Sequence, residues 1–457
     1  MALLDIYDSY SKQIKSFNEG VEPGSVKLYV CGVTVYDHCH VGHGRVFIVT
    51  DLMQRFFKSK GLECFFIRNI TDIDDKIINK AKAENRPWHA LAEEYTLSMQ
   101  ELCRDLCCLP VQAEPKATQS IPQMIAMIER LIEKKSAYVI DSEVFFSVDS
   151  FARYGCLSGQ DLDALQAGHR VDVDAHKRNP GDFTLWKPSK SDEPGWDSPW
   201  GFGRPGWHIE CSAMVTDYCH SSLDFHLGGM DLKFPHHENE IAQSEACHDH
   251  PLANCWVHIG FVTVDGEKMS KSLYNFKYLK GTLEAIGPAA LRYFYLSTHY
   301  RQPLAFTEEK IQDAKNSVQS LMKQLHTARS QDVGLFTESD FETIRQSLEQ
   351  ALSQDLNTPE ALVVLHKAVH QIKGAHFVEK LIGLVDALLG LNLTFVDDNP
   401  WVPLQSMPIE IAEMAQRRLT ARGLKDYYAA DQIRKDLLEL GYELQDSPQG
   451  TLIRFYR

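Results

Sequence analysis

The sequence predicts an α/β protein in which a parallel-sheet domain, interrupted by an insertion, is followed by a helical bundle and a small C-terminal α/β module. Three observations carry this. The β-branched run VKLYVCGVT (26–34) is followed by apolar residues at helical spacing from Gly44 to Gly61 and then by a second strand-like run, CFFIRNIT. Strand, helix and strand make a βαβ unit, which implies a parallel, Rossmann-like sheet. The pattern returns later, where LDFHLGG and WVHIGFVTV read as strands on either side of a helix, PHHENEIAQSEACH. Finally, Thr307 to Leu391 is almost entirely of helical period and reads as a bundle. At 457 residues and 44% hydrophobic, the chain is too long for one ordinary domain and long enough to bury extensive cores.

Residues 1–120 are expected to form the first half of the sheet domain, with a long helical stretch from Asp72 to Cys108 ending at the breaker-rich LPVQAEPKATQS. An insertion is expected over 121–203: a helix (IPQMIAMIERLIEKKSAYV), a hairpin (VIDSEVFFSV) and the Pro/Gly/Trp-rich run KPSKSDEPGWDSPWGFGRPGW. Residues 204–265 supply the second half of the sheet domain, and 266–306 a lysine-bearing loop and connection. The bundle covers 307–395, and the Pro-containing linker FVDDNPWVPLQSMP opens a module over 396–457 with a basic helix and a terminal strand.

Composition narrows the function classes. No run approaches the ~20 apolar residues of a membrane span, and the first ten residues lack a signal-peptide pattern, so a cytoplasmic protein is expected. Eleven cysteines in a chain of this size read as free thiols or metal ligands before disulfides. A formal charge of −15 argues against nonspecific coating of nucleic acid and leaves room for a local basic face.

Two short motifs point to phosphate. His40-Val41-Gly42-His43 stands at a predicted helix N-terminus, where unpaired N–H groups and the positive dipole end suit anions. Gly42 and Gly44 would let the backbone come close, and the imidazoles can donate to phosphate oxygens. Much later, VTVDGEKMSKSLYN is a strand followed by a loop carrying Lys268 and Lys271, which can close over a triphosphate and stabilise departing pyrophosphate. Alone, the histidine motif reads equally well as a turn, and the lysine motif reads better as a solvated loop. Together they flank one predicted sheet, whose carboxyl edge is where an open α/β domain gathers its ligand loops.

The pair HVGH and KMSKS resembles the signature of class I aminoacyl-tRNA synthetases. The longer strings YVCGVTVYDHCHVGHGR, RNITDIDDKI, RPGWHIECSAM, FPHHENEIAQSEA and EKMSKSLYNF resemble the cysteinyl-tRNA synthetase family, and similar text extends to the terminal SPQGT. The resemblance implies ATP-dependent activation of L-cysteine to cysteinyl-adenylate and transfer of the cysteinyl group to the 3′-terminal adenosine of tRNA(Cys). It implies catalytic roles for His40, His43, Lys268 and Lys271, with Mg2+ accompanying ATP, and an ATP site including Gly42, Gly229, Asp231 and Lys271. Thr71 and Trp207 would line the cysteine pocket. The sequence departs from the family at Tyr274, where Gly is common, and after PQGT, where LIRF replaces a common Trp.

His236 and Glu240 are four apart in a predicted helix, so they share a face and could ligate one ion. Alone that spacing is common in solvated helices, and Cys31 or Cys211 alone reads as a buried small hydrophobe. The resemblance implies that Cys31, Cys211, His236 and Glu240 together hold one Zn2+. Zinc suits thiolate far better than a serine hydroxyl, so cysteine would be chosen at binding with no editing domain. Cys103 and Cys107 are expected on one packed helix face.

In QRRLTARGLKDYYAADQIRKDLLELG, basic residues (Arg417, Arg418, Arg422, Lys425, Arg434, Lys435) alternate with Tyr427 and Tyr428, a mixture that suits RNA phosphates and unstacked bases. The resemblance implies that this module and the bundle meet the anticodon arm, with Arg422, Lys425, Tyr427 and Arg434 as tRNA contacts. A monomer is expected. Three alternatives remain: a ligase joining cysteine to an amino sugar, which the long helical tail disfavours; a zinc hydrolase built on HHENE, which leaves the phosphate motifs unexplained; and a noncatalytic RNA-binding protein, against which the intact His and Lys motifs speak.

Overall fold

The computed structural model describes residues 2–160, 177–264, 267–268, 276–334, 336–393, 402–404, 407–447 and 450–455. These form two compact units, Met1–Leu393 and Thr394–Arg457.

A four-stranded parallel sheet organises the larger unit, in the order Ala253–Ile259, Leu223–Gly229, Ser25–Val30, Glu63–Arg68. The pairs Leu28↔Phe225 and Tyr29↔His226 set the register between its halves. The chain leaves Ser25–Val30 for a neighbour on one side and returns on the other, so the topological switch point lies between Val30 and Gly229. Strand interiors such as SVKLYV are buried on both faces, as a sheet covered by helices requires.

The helix after the first strand is Val41–Ser59, three residues earlier than the periodicity predicts, because its first turn is apolar only at Val41. Its N–H groups also differ from expectation: Val41 N donates to Lys277 O (3.1 Å), and Gly42 N and His43 N donate to His40 Nδ1 (3.0 and 3.3 Å). They are paired within the protein, so at this helix end the imidazoles, not these N–H groups, are the donors for an anion. Gly44 serves packing: a Cβ there would lie 2.6 Å from Tyr295 Oη and 2.7 Å from Leu279 Cδ1.

Four further expectations are corrected. The stretch 72–108 is two helices, Asp75–Ala83 and Trp88–Asp105, divided at Asn85 (φ 51°) and Pro87. Cys107 lies beyond the second helix at φ 57°, so it does not share a helix face with Cys103. The helix from Ile121 stops at Glu133, and Ala137–Ile140 is already a strand. WVHIGFVTV is broken at Gly260: Val262–Val264 leaves the parallel sheet and pairs with Leu304–Phe306 and Glu267–Lys268 in a separate three-stranded sheet. Lys268, expected in a loop after the strand, instead lies within a strand of this small sheet, paired with Thr263.

Ala137–Ile140, Glu143–Phe146, Phe183–Pro188 and Gly203–Pro205 form an antiparallel sheet, running two residues past the expected end of the insertion at 203, that packs with Ile121–Glu133 around Met124, Ile128, Phe146 and Trp186. Helices Glu308–Arg329, Glu338–Ser353, Thr358–Gln371 and Ala375–Leu389 follow. The last is tied to the Val41–Ser59 helix by the fully buried Arg292, which donates to Leu389 O (2.8 Å) and to Asp51 Oδ2 (2.5 Å). An unpaired guanidinium would be costly there, and Asp51 with the carbonyls satisfies it.

The smaller unit packs Ile409–Gly423 and Tyr427–Glu439 on an antiparallel sheet ordered Val402–Pro403, Gly450–Phe455, Tyr442–Ser447, with Ala415, Leu437 and Ile453 in its core. The single basic helix of the sequence reading is thus two, broken where Lys425 takes φ 61°. Among the described residues, no helix is long and apolar enough to cross a membrane.

Candidate active site and metal centre

At the carboxyl ends of the parallel strands, on the switch point, a cleft of about 580 Å3 is lined by Cys31, His40, Gly42, His43, Trp207, Gly229 and Asp231, among others. Thr71 does not line it: nearly fully buried, its hydroxyl donates to Glu210 Oε2 (2.9 Å).

Beside the cleft four buried donors converge, and Cys31 alone of them is among its lining residues. Cys31 directly follows strand Ser25–Val30, Cys211 comes from helix Trp207–Cys219, Glu240 from helix Glu238–His248, and His236 from the turn before it. Cys31 Sγ lies 3.7 Å from Cys211 Sγ and 3.1 Å from Glu240 Oε1. His236 Nε2 lies 3.6 Å from Cys211 Sγ and 3.0 Å from Glu240 Oε1. All four are buried, and one donor atom of each lies within 4.8 Å of the others.

Burial and mutual contact set the charges of these four groups. Burial opposes ionisation of Cys211, but its hydrogen bonds with Cys31 and His236 bring it down to about 6. Burial pushes the Cys31 thiol well up. Burial opposes charge on Glu240 as well, yet His226 and His236 hold it well below the usual carboxylate range. Burial would keep His236 neutral, and Glu240 raises it to about 10 instead. Two sulfurs and a carboxylate thus converge on one imidazole within a buried space, a donor set that suits a divalent cation. Two sulfurs, one imidazole nitrogen and one carboxylate oxygen match the ligand chemistry of zinc.

The neighbours orient these ligands. His208 Nδ1 lies 2.9 Å from His236 Nδ1, which leaves His236 Nε2 toward the floor, and Trp207 stacks on the same ring at 4.1 Å between centroids. His226 Nε2 lies 2.8 Å from Glu240 Oε2, leaving Oε1 toward Cys31 and His236. His226 and His237 complete a second possible donor set with Cys31 and Glu240. The sequence reading passed over His208 and His226. Their signal was a polar residue inside an apolar run, as in LDFHLGG, where every residue but the last glycine is buried.

On the cleft's other wall, His40 is the N-cap of its helix and forms a reciprocal capping box with His43. His40 N donates to His43 Nδ1 (3.2 Å), and the two rings stack at 3.6 Å. Each Nδ1 accepts from backbone, so each neutral ring carries its proton on Nε2. Burial, with His40 beside it, pushes His43 well below its ordinary value, which maintains that neutral form. The pair is a set of positioned N–H donors.

Gly229 ends its strand, and a Cβ there would lie 2.5 Å from Asp231 Oδ1, which places that carboxylate against the strand end. Lys268 belongs to the strand Glu267–Lys268, while Lys271 and Tyr274 lie outside the described residues. The chain resumes at Phe276, whose ring meets His40 edge to face at 5.0 Å, and Leu279 N donates to Cys39 O (2.9 Å). The segment following the lysine motif is therefore fastened to the first histidine motif.

In the smaller unit, Lys425, Tyr427 and Arg434 are exposed. Arg422 is paired with Asp446, and the buried Arg418 meets the same carboxylate with two hydrogen bonds (3.0 and 2.8 Å).

Comparison with known proteins adds independent information. A family described as the catalytic domain of "tRNA synthetases class I (C)" matches residues 17–316. The cysteine--tRNA ligase of Nitrosomonas eutropha is 43% identical over 466 residues, covering 99% of this chain and 100% of that protein. That of Methylobacillus flagellatus is 44% identical over 455 residues, covering 98% and 99%. The solved structure of Mycobacterium tuberculosis methionyl-tRNA synthetase with methionyl-adenylate is similar in fold, with a TM-score of 0.59 at 15% identity over 80% of this chain and 92% of that one.

Proposed function

The chain belongs to the cysteinyl-tRNA synthetase family of class I aminoacyl-tRNA synthetases, and from that membership we infer that it activates L-cysteine with ATP and transfers the cysteinyl group to the 3′-terminal adenosine of tRNA(Cys). The observation that carries this reading is the buried Cys31, Cys211, His236 and Glu240 floor opening into the cleft that His40 and His43 wall.

Cys31, Cys211, His236 and Glu240 would hold zinc. Bound there, zinc supplies a soft Lewis acid that takes the sulfur of cysteine and gives little to a serine hydroxyl at neutral pH. Trp207, stacked on His236 at the rim, would close the amino-acid side of the cleft. ATP, accompanied by Mg2+, would lie toward Gly42, Gly229 and Asp231, with the Asp231 carboxylate against the ribose hydroxyls.

In the first step the cysteine carboxylate attacks the α-phosphorus, the bond to the bridging oxygen breaks, and pyrophosphate leaves. The protein contributes position and charge. The Nε2–H groups of His40 and His43 donate to phosphate oxygens as charge builds on them, and Lys268 and Lys271 neutralise the leaving pyrophosphate. In the second step a ribose hydroxyl of the terminal adenosine attacks the carbonyl carbon and AMP leaves. The exposed Lys425, Tyr427 and Arg434 would meet the anticodon arm, with Arg422 shared between RNA and Asp446.

This is a monomeric, cytoplasmic enzyme in this reading, and eleven free cysteines fit a reducing compartment. Cysteine-dependent exchange of pyrophosphate into ATP tests it, because only an enzyme that forms the adenylate reversibly supports exchange.

A further inference from the structure

We propose that Asn69 and Glu210 are positioning residues which, through Thr71, hold the two thiol-bearing segments of the floor at a fixed spacing and so sharpen selection of the amino-acid side chain. The proposal rests on the reading of that floor as the zinc site that selects cysteine.

A continuous chain of hydrogen bonds runs from the residue after Cys31 to the residue before Cys211. Gly32 N donates to Asn69 Oδ1 at 2.7 Å, Asn69 Nδ2 donates to Thr71 Oγ1 at 3.3 Å, and Thr71 Oγ1 donates to Glu210 Oε2 at 2.9 Å. Asn69 and Thr71 are each 2% exposed and Glu210 1%, so water cannot replace a lost partner. The first link is rigid. Thr71 N donates to Val33 O (3.3 Å) and Val35 N to Thr71 O (3.2 Å), and a Cβ on Gly32 would fall 1.7 Å from Asn69 O. Only glycine permits the segment after strand Ser25–Val30, which carries Cys31, to lie this close to the 69–71 segment.

Each link has a fixed polarity. The Gly32 N–H can only donate, which orients the Asn69 amide and leaves its NH2 for Thr71. Thr71 then accepts that bond and directs its single proton to Glu210. The far link is the only one of the three that reaches helix Trp207–Cys219, which carries Cys211. A small shift of that helix would move one sulfur relative to the other, and ligand sites respond to shifts of well under an ångström.

The test uses the full chain as wild type, Glu210→Leu, Glu210→Gln and Asn69→Asp. Zinc is quantified in each, and cysteine- and serine-dependent ATP–pyrophosphate exchange are followed. Glu210→Leu removes the acceptor and should raise the KM for cysteine about tenfold or more and narrow the cysteine-to-serine ratio, with the KM for ATP within about twofold of wild type. Glu210→Gln keeps an acceptor oxygen for Thr71 and should recover most of the loss. Asn69→Asp keeps the acceptor for Gly32 but removes the donor to Thr71. It should shift the KM for cysteine in the same direction, and it carries the test if the leucine variant does not fold. Wild-type KM and serine exclusion in the folded variants would overturn the brace alone. So would equal losses in every parameter with no recovery by glutamine, since that marks a merely structural role. Absence of cysteine-dependent exchange in zinc-loaded wild type would overturn the functional reading, and the brace with it.

Discussion

Cys31 Sγ lies 3.7 Å from Cys211 Sγ although 180 positions separate them in the chain. The first directly follows a strand and the second lies in a helix, and His236 and Glu240 complete the set from the turn Lys233–His237 and the helix after it. Replacing Cys211 with Ser exchanges a soft donor for a hydroxyl that stays protonated at neutral pH. The variant should retain zinc at least about tenfold less well than wild type, as measured by elemental analysis after dialysis against a mild chelator. Undiminished metal content would remove Cys211 from the ligand set.

His40 has two separable tasks, capping its helix through Nδ1 and donating from Nε2. Asparagine caps helices well but cannot reach with a second donor. His40→Asn should keep the wild-type melting temperature and lower the exchange kcat by about a hundredfold. His40→Ala should lose both, with a further stability cost of about 1 kcal/mol. A full-rate asparagine variant would leave His40 with a structural role only.

Lys271 is assigned to the transition state of adenylate formation. Lys271→Ala should therefore depress the single-turnover rate of that step by about a hundredfold while the Kd for cysteine stays within a few-fold. Equal losses in rate and binding would contradict that assignment.

Asp446 ties Arg418 and Arg422 together in the C-terminal unit, and its hydrogen bond with Arg418 holds its carboxyl well below the usual range. A depressed carboxylate adds stability above its unfolded value near ~3.9 and loses it as pH falls through the folded value. Asp446→Asn should thus loosen this unit at pH 7 by about 1–2 kcal/mol, the figure allowing for the carboxylate's partial exposure. The difference from wild type should vanish in strong acid. Hydrogen exchange over residues 427–447 reports both, and a variant equally protected at pH 7 would contradict it.

Much of the architecture was legible in the chain. The βαβ unit at 26–68 was visible because buried parallel strands need unbroken β-branched runs, and the bundle because apolar spacing persists over some eighty residues. What was hidden depended on backbone choices made by single residues. Asn85 at φ 51° divides a stretch whose periodicity continues on both sides, and Gly260 turns an apparently continuous strand into two sheets. Spacing suggested the His236 and Glu240 pair, whereas Cys31 and Cys211 join it only through tertiary structure and were named by resemblance. The capping box between His40 and His43 was within reach of sequence, since each stands where a cap would. It was missed because histidine is seldom read as a helix cap.

The central claim is that a zinc floor selects cysteine for activation. ATP–pyrophosphate exchange, measured with cysteine and with serine on protein of known zinc content, tests it most directly. Exchange should occur with cysteine alone, be lost on chelation and return with zinc. Exchange that survives complete removal of zinc, or that serine supports equally, would contradict it.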